Sequence, residues 1–390
     1  MIQVECVRDA HRLEALRVDW DRLSRGSVMQ RFSWLMSWWR AYQANHRLHV
    51  LVAYRGEQVC GLMPLAETKT VWTGCTLVFM GSGKVCSDNQ GILSDASDVN
   101  DVSDAFAMWL SVSPDCCRWD HLDLDGVREH NSGMKRFGET LAQETGTRID
   151  FTSSPNCWAA SLEGGLDAYK SRLTKRVRKI LRESEIEYSS GRSGFEIAQT
   201  LDQARAFVRE IEQMHQQRWK ERGIDGCFSQ QSFSNFLDHA LHDLWQDPWS
   251  PVDGSHVGSE SESQRVHIAM LRIDGKAAAG TICIRDRDSL DVYLTGMNPE
   301  FEERRPGWQL NERCIRFAID TGCKKFDFLR GDEAYKERLG GLPSVQHRWL
   351  VPSPRWTSQL RNRAYRTAID VKGWWQSKPT KTLQKSSEMA

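Results

Sequence analysis

The chain of 390 residues carries 52 basic and 52 acidic side chains, so its formal net charge is zero. A neutral chain has no overall attraction for nucleic acid. Its length exceeds what one core comfortably fills, which predicts about two domains. No apolar run approaches the length that spans a bilayer, and the N-terminus lacks the basic and apolar segments of a signal peptide. We therefore expect a cytoplasmic protein.

The eleven cysteines are scattered and show no C-x-x-C spacing. An odd number of cysteines, with Cys116 and Cys117 adjacent, favours reduced thiols over a disulfide framework. The sequence therefore predicts neither a structural zinc nor any other metal site. A redox role is the minor alternative.

The first 155 residues predict two helices, a hairpin, a strand, a helix, a strand and a helix, in that order. These elements are expected at Asp9–Leu23, Phe32–Tyr42, Leu48–Tyr54 with Gln58–Pro64, Leu77–Met80, Val102–Leu110, Trp119–Leu124 and Gly133–Glu144. The run Gly81-Ser-Gly-Lys84 lacks the G-x-x-x-x-G-K-[ST] frame of a phosphate loop, so it indicates a turn. Asp88 and Asn89 follow it. They are either turn residues or residues that face a cleft between domains.

The next segment opens on a helix at Tyr169–Arg182, whose polar faces hold only basic side chains. Such a charge run favours a solvated face, but the lack of acidic partners leaves open a surface for an anionic substrate, lipid or carrier. Further helices are expected at Leu201–Arg222 and Phe233–Trp245. After a polar insertion at residues 247–264 comes a second hairpin, Val266–Ile273 with Ala277–Ile284.

Residues 290–336 are the most informative stretch. Leu290–Gly296 predicts a strand, Pro306 opens a helix that ends at Gly322, and residues 326–328 predict a second strand, parallel to the first. The start of a helix carries unpaired N–H groups and a partial positive charge. With Arg304 and Arg305 beside it, this place suits a phosphate or pyrophosphate. The alternative is a capping loop with two solvated arginines.

This order of elements resembles the acyl-CoA-binding core of the GNAT N-acetyltransferase superfamily. Arg304 and Gly307 match the first two anchors of its Arg-x-x-Gly-x-Gly/Ala loop, and Gln309 replaces the last small residue. The phrase Asp327-Phe-Leu-Arg-Gly-Asp-Glu-Ala-Tyr-Lys336 resembles the BioF2-like acetyltransferases. That branch includes CelD-type proteins of bacterial polysaccharide synthesis and is related to the FemAB aminoacyltransferases. The resemblance covers roughly residues 1–351.

The resemblance implies an α/β fold of two tandem GNAT-like domains with mixed, mostly antiparallel sheets. Residues 1–155 would form an N-terminal domain on the acceptor side, without a CoA site. Residues 156–351 would form the acyltransferase domain with the donor site, and residues 352–390 a basic helix and a disordered tail. The tail helix, Arg355–Trp375, either packs on the catalytic domain or lies on a membrane surface.

The resemblance also implies transfer of an acyl group, most often acetyl, from acyl-CoA to a small-molecule or saccharide amine, without a metal. The setting would be polysaccharide or cell-envelope biosynthesis. The residues it implies fall into three sets: Arg304, Arg305, Gly307 and Trp308 for the donor; Tyr335 as proton donor to the thiolate, with Asp332, Glu333 or His215 taking the amine proton; and Asp327, Arg330, Lys336 and Arg218 lining the substrate cleft.

Three other functions remain open. A FemAB-like enzyme would use an aminoacyl-tRNA donor, held on the basic helix; otherwise no nucleic acid is expected. A non-catalytic GNAT-fold partner in polysaccharide assembly would keep the fold and lose the donor, which the Gln309 departure supports. A peripheral membrane adaptor would depend on the C-terminal helix.

Overall fold

The computed structural model describes residues 2–24, 27–70, 73–112, 118–221, 223–247 and 264–361. The strands are β1 Ile2–Val7, β2 Arg47–Leu48, β3 Val50–Arg55, β4 Gln58–Met63, β5 Leu65–Thr70, β6 Gly74–Phe79, β7 Leu93–Ser94, β8 His121–Arg128, β9 Asp150–Ser161, β10 Ser193–Ile197, β11 Val266–Ile273, β12 Lys276–Asp286, β13 Ser289–Met297, β14 Lys325–Arg330 and β15 Leu342–Pro352. The helices are α1 Ala10–Glu14, α2 Arg17–Leu23, α3 Phe32–Tyr42, α4 Val99–Val112, α5 Ser132–Thr145, α6 Gly165–Ser171, α7 Lys175–Ser189, α8 Leu201–Glu221, α9 Gln231–Trp245, α10 Pro306–Asp320 and α11 Ala334–Arg338.

One large sheet runs through the whole molecule. Its strands follow the order β10-β11-β12-β13-β14-β9-β15-β8-β6-β5-β2, and a second sheet has the order β1-β3-β4-β7. We call β1 to β8 with α1 to α5 the first half, and β10 to β14 with α6 to α11 the second half. Within the described residues most neighbours are antiparallel; β6 pairs with β8, and β13 with β14, in parallel.

The two halves repeat one arrangement around these parallel pairs. In the first half β6, α4 and β8 follow one another, and in the second half β13, α10 and β14 do the same. A helix connects each parallel pair, as parallel strands require. The expected parallel pairing of the strands on either side of α10 is thus confirmed.

Two strands, β9 and β15, join the sheet regions of the two halves. β9 pairs with β14 on one side and with β15 on the other, and β15 in turn pairs with β8. The last strand of the described residues, β15, therefore completes the sheet of the first half. The expected domain boundary after residue 155 falls inside β9.

Apolar packing also crosses the junction. A core cluster combines α2 and α3 of the first half with α8, α9 and β11 to β13 of the second. Trp34 lies edge-on against Phe236 at 4.9 Å and against Tyr293 at 5.0 Å between ring centroids. Aromatic pairs of this geometry add to the burial of their area, so the two halves are held as one body.

Two predicted helices differ from the structure. The helix expected at Tyr169–Arg182 is interrupted near Leu173, because the Thr174 side chain accepts a hydrogen bond from the backbone N–H of Val177 and caps a new helix, α7. The helix expected at Asp9–Leu23 is likewise divided into α1 and α2.

Several expectations lie outside the described residues: most of the insertion at residues 247–264, the pair Cys116 and Cys117, and the C-terminal helix and tail beyond residue 361. In the part of the chain that is described, no helix combines the length and the apolar character needed to cross a lipid bilayer.

Candidate functional site

The second half opens a cavity between β13 and β14. The parallel ladder ends where Asp291 lies opposite Asp327, and beyond this rung the two strands separate. A cavity of about 240 Å³ fills the gap. Its lining comes from both halves: Lys84, Val85, Cys86, Asp88, His215, Cys227, Phe233, Val292, Tyr293, Leu294, Thr295, Phe328, Leu329 and Arg330.

Local backbone irregularities accompany the separation of the strands. β13 has an extra residue, Tyr293, opposite β12, where the register shifts between Ile282 and Cys283. Such a bulge bends the strand. On the other side Leu329 has a left-handed backbone with φ of +56°, which is unusual for a residue with a side chain. The edge of β13 that faces β14 therefore presents backbone groups to the cavity instead of to a ladder partner.

Helix α8 covers one side of the cavity and brings His215 to it. The helix comes so close to β13 that a Cβ at Gly296 would lie 2.6 Å from the backbone oxygen of Ile211. The Nε2 atom of His215 accepts a hydrogen bond of 2.8 Å from Trp219 and lies 3.8 Å from the Cys227 sulfur. Burial and the charge of Arg218 lower the pKa of His215 to about 4. His215 is therefore neutral at neutral pH.

The first half supplies the opposite wall through residues 84–88. The Tyr293 hydroxyl donates to the backbone oxygen of Val85 at 2.9 Å. The buried Asp88 accepts from Arg330 Nε at 2.7 Å and from the Arg330 backbone N–H at 3.1 Å. Arg330 also donates to Asp125 at 2.6 Å. The position of Asp88 in a cleft between the halves, one of the two alternatives from the sequence, is confirmed.

The equivalent opening in the first half is filled. The β6/β8 ladder ends with Val78 opposite Asp123. Beyond it, Gly81 accepts a backbone hydrogen bond from Ser87 at 3.0 Å, and Gly126 accepts one from Gln90 at 3.0 Å. The segment of residues 87–90 thus lies between the separated strands. A Cβ at Gly126 would also come within 2.7 Å of Arg330 Nη2, so the arginine of the second half occupies the remaining space.

The expected donor loop lies at the start of α10, with its arginines already paired. Arg304 forms ion pairs with Glu187 and with Asp274, the latter at 3.1 Å. Arg305, which has a left-handed φ of +52°, lies 3.6 Å from Glu183. These two arginines are partly exposed. An anion at this helix start would therefore share them with carboxylates of α7 and of the β11–β12 turn.

The neighbours of the loop explain the Gln309 departure. The buried Gln309 side chain turns back and donates to the backbone oxygen of Arg304 at 2.9 Å. A Cβ at Gly307 would meet the Met297 sulfur at 2.7 Å, so that glycine permits close packing of α10 on the end of β13. Trp308 is partly buried against the core beneath α10. Gln309 thus ties the first turn of α10 to the preceding loop and fills space that a small residue would leave empty.

Tyr335 lies on α11, beyond the end of β14. Its ring packs edge-on against Phe328, which lines the cavity, with 6.0 Å between centroids. Burial, with a smaller contribution from Glu333, raises the pKa of Tyr335 well above its usual range, although the charge of Arg218 opposes this. The phenol is therefore protonated at neutral pH and can donate a proton.

The two acidic candidates next to Tyr335 are exposed and differ in their partners. Asp332 accepts from Asn156 and Trp158 side chains, both at 3.0 Å. Burial alone would raise the pKa of Asp332, but these hydrogen bonds outweigh it and lower the pKa below its usual range. Such a carboxylate is a weak proton acceptor. Glu333 forms an ion pair with Lys336 at 3.0 Å.

The remaining candidates support the backbone at the end of β14. Asp327 is buried, accepts from the Leu329 N–H at 2.9 Å and pairs with Lys325 at 3.1 Å. Lys336 is buried and donates to the backbone oxygens of Leu329 and Arg330, at 3.2 and 2.8 Å. Of the substrate-cleft set, only Arg330 lines the cavity itself.

Sequence reasoning missed most of the cavity wall. Lys84, Val85, Cys86, Cys227 and Tyr293 line it without having been candidates. Tyr293 carried a usable signal, because an aromatic residue stands on the strand before the donor loop. The others come from loops far away in the sequence, where no local pattern marks them. Across the described ranges there is no cluster of three or more His, Cys, Asp or Glu side chains able to hold a metal ion.

Comparison with known proteins finds a similarity in the second half. Residues 172–337 match the family model described as acetyltransferase (GNAT) domain. The crystal structure of FemX has a TM-score of 0.60 to this chain at 10% identity, and the match covers 88% of this chain and 96% of FemX. The likeness shows the fold. The expected α/β fold of tandem GNAT-like domains with mixed sheets is confirmed.

Two further structures are similar at lower scores. A tandem GNAT protein from the clavulanic acid biosynthesis pathway has a TM-score of 0.45 and 10% identity, with 91% of this chain and 99% of that chain covered. A protein of unknown function from Bacteroides thetaiotaomicron VPI-5482 has a TM-score of 0.48 and 13% identity, with 90% and 100% covered. None of the curated proteins matches this chain.

Proposed function

We propose that the protein transfers a short acyl group, most often acetyl, from acyl-CoA to the amine of a small molecule or saccharide. The observation that carries the proposal is the cavity between β13 and β14. It opens at the end of a parallel ladder, beside a helix that starts with Arg304 and Arg305, in the domain that matches an acetyltransferase family.

The size of the cavity supports a short acyl group. Its volume of about 240 Å³ is below the range of roughly 300–1,000 Å³ in which proteins enclose drug-sized ligands. A cavity of this size suits the reacting end of a donor, while the rest of the donor extends along the protein surface. Val292, Leu294 and Phe328 give it an apolar side that can pack against an acyl chain.

The start of α10 supports the pyrophosphate end of the donor. The first N–H groups of a helix attract anions, and Arg304 and Arg305 add two charges that remain partly exposed. Arg304 and Arg305 would exchange their carboxylate partners for phosphate oxygens on binding. Trp308 and Gly307 fix the first turn against β13 and the core.

Protons would be handled by neutral groups around the cavity. The donor supplies an activated thioester, and the amine must lose a proton as the thiolate leaves. Tyr335 packs against Phe328 of the cavity wall and remains protonated, so its hydroxyl can donate a hydrogen bond to the leaving thiolate, while its raised pKa disfavours complete proton transfer. His215 is the candidate for the amine proton that lines the cavity, but its pKa of about 4 and the Trp219 hydrogen bond to its Nε2 atom make it a weak acceptor. Asp332 and Glu333 are the exposed alternatives.

We assign the acceptor side to the first half. In its described part, residues 87–90 lie in the opening that corresponds to the cavity of the second half. The phrase from Asp327 to Lys336 is the basis for placing the protein in the BioF2-like, CelD-type branch. A role in polysaccharide or cell-envelope synthesis in the cytoplasm depends on that placement. A polysaccharide-synthesis partner fits the same setting.

Calorimetric titration of the full-length protein with acetyl-CoA tests the donor. We expect binding by the wild type and its loss in Cys86→Trp, because Cys86 is an exposed residue whose enlarged side chain would fill the cavity. Met108→Trp is the matched control, since Met108 is exposed on α4 and lies outside the cavity. Absence of binding by the wild type would overturn the proposal in favour of a non-catalytic partner.

A second candidate is transfer from an aminoacyl-tRNA. It is favoured by the outward face of α7, where Lys175, Arg176, Lys179 and Arg182 are all exposed, and by the FemX-like fold. Binding of bulk tRNA should then fall steeply with salt. Replacing all four cations by glutamine should abolish it, whereas the same change of four exposed cations of the first half, Arg8, Arg47, Lys135 and Arg148, should not. Salt-independent or absent tRNA binding would remove this candidate.

A further inference from the structure

The end of β14 is held in its cavity-lining conformation by three separate contacts. The left-handed Leu329 is strained, and such a conformation persists only where its surroundings fix it. Asp327 holds the Leu329 N–H, and Lys336 holds the backbone oxygens of Leu329 and Arg330. Both of these side chains belong to the second half.

The third contact comes from the first half. Asp88, only 1% exposed, accepts from the backbone N–H of Arg330 through one oxygen and from its Nε through the other. This carboxylate is therefore bound to the strand end itself as well as to its side chain. Residues 328–330 line the cavity on the side facing β13.

The same loop of the first half is fixed at both of its ends. Ser87 and Gln90 bond to Gly81 and Gly126 in the filled opening, which leaves Asp88 between them with little freedom. Val85, three residues earlier, receives the Tyr293 hydroxyl from the opposite strand of the cavity. One short segment thus contacts both strands that form the opening in the second half.

We propose that Asp88 is a positioning residue, by which the first half fixes the end of β14 and so shapes the acyl site of the second half. The segment of residues 85–90, whose part 87–90 fills the opening in the first half, would then act as a fixed wall for the other opening. This inference rests on the proposed function for its catalytic consequence, but its structural part can be measured without a substrate.

The first measurement is hydrogen exchange of the full-length protein. Asp88→Asn keeps the size of the side chain but removes the charge and one acceptor facing Arg330. We expect amides 329–331 to exchange about tenfold faster, because the strand end opens more often. Asp104→Asn is the control: Asp104 also accepts two hydrogen bonds from one guanidinium, that of Arg136 at 2.7 Å each, but within the first half. It should leave amides 329–331 unchanged.

The second measurement separates positioning from general stability. With acetyl-CoA and glucosamine as probes, Asp88→Asn should lower kcat about 10- to 100-fold, since misplaced groups cost that much, with the Kd for acetyl-CoA unchanged. Unchanged exchange at 329–331, or equal loss in Asp104→Asn, would overturn the inference. If amides 329–331 exchange faster in Asp88→Asn but the wild type binds no acetyl-CoA, only the proposed function is overturned.

A second variant covers the case in which Asp88→Asn does not fold. Asp125→Asn removes the other carboxylate on the Arg330 guanidinium, and Asp125 is more exposed than Asp88, with a side chain 35% exposed against 2%. It should speed exchange at 329–331 to a smaller extent than the tenfold expected above. No change there in the folded variant would overturn the inference as well.

Discussion

Asp291 and Asp327 lie opposite each other on the last rung of the β13/β14 ladder, immediately before the strands separate. Opposite residues of a parallel pair have side chains on the same face, so two carboxyl groups come together there. Burial, reinforced by Asp327, raises the pKa of Asp291 to about 7. Lys325, 3.1 Å from Asp327, compensates one of the two charges.

Stability should therefore fall as the pH rises between about 4 and 7. An unfolded aspartate loses its proton near pH 3.9, whereas folded Asp291 keeps it until about pH 7. The free energy of unfolding thus falls across this window and stays constant at higher pH. Asp291→Asn should remove this loss. Relative to the wild type, the free energy of unfolding of the variant should therefore gain up to roughly 4 kcal/mol more at pH 8 than at pH 4. Denaturant unfolding at several pH values measures it.

The control for this prediction is Asp101→Asn. Asp101 lies on α4 with its side chain 63% exposed, and it pairs with Arg55. Its substitution should shift the unfolding free energy about equally at all pH values from 5 to 8. If Asp291→Asn behaved in the same way, the carboxyl group would already be ionised in the folded state at low pH.

Glu187 should compete with the donor for Arg304. Its carboxylate pairs with that arginine while being only 18% exposed. Glu187→Gln should release Arg304 for the pyrophosphate and tighten acetyl-CoA binding about two- to five-fold, the scale of one partly exposed ion pair. Calorimetry at two salt concentrations measures it. Glu185→Gln, on the same helix but paired with Arg313 and Arg316, should leave the affinity unchanged.

Gly307→Val should weaken acetyl-CoA binding by about tenfold or more, the scale of a lost anchoring contact. The valine side chain would exclude the donor sterically. It would also displace Met297, which is a second cause of weaker binding. Gly194→Val is the control, since nothing lies within 4 Å of a Cβ there. The double variant Gly307→Val with Met297→Ala tells the two causes apart. Recovered binding would assign the loss to Met297, and continued loss to blocked donor space.

The strand, helix and strand around α10 could be predicted from the sequence, because Gly296, Pro306 and Gly322 mark their ends. The state of the donor arginines could not. The predicted basic helix stopped at Arg182, yet α7 continues to Ser189 and its last turns carry Glu183 and Glu187. Charges that the sequence presents as unpaired are therefore paired in the fold.

The shared wall of the cavity was also beyond local patterns. Asp88 and Arg330 are 242 residues apart, and the junction of strands β14-β9-β15-β8 brings them together. β15 mixes polar and apolar residues without alternation, and the burial of its residues is equally irregular. Sequence periodicity detects elements that bury one regular face, and neither the loop of Asp88 nor β15 does so.

Tyr335→Phe tests the proton donor. A leaving thiolate has a pKa near that of free cysteine, about 8.5. The Tyr335 phenol, with its pKa raised by burial, stays protonated and can donate a hydrogen bond to the sulfur as charge develops there, although the raised pKa disfavours complete proton transfer. The interaction matters mainly in the transition state, so its loss should lower kcat about 100-fold without changing KM for acetyl-CoA.

Phenylalanine keeps the ring and its contact with Phe328, so packing should be preserved. Tyr188→Phe is the matched control, because Tyr188 is an exposed tyrosine of α7 that stacks with Arg313. The assay follows thiol release from acetyl-CoA with glucosamine as the probe amine. A nearly unchanged kcat in Tyr335→Phe would make the tyrosine structural. A raised KM with constant kcat would make it a ground-state binding residue. Either result would remove Tyr335 from proton transfer and leave water as the donor to sulfur, since Lys336 donates to the backbone of Leu329 and Arg330.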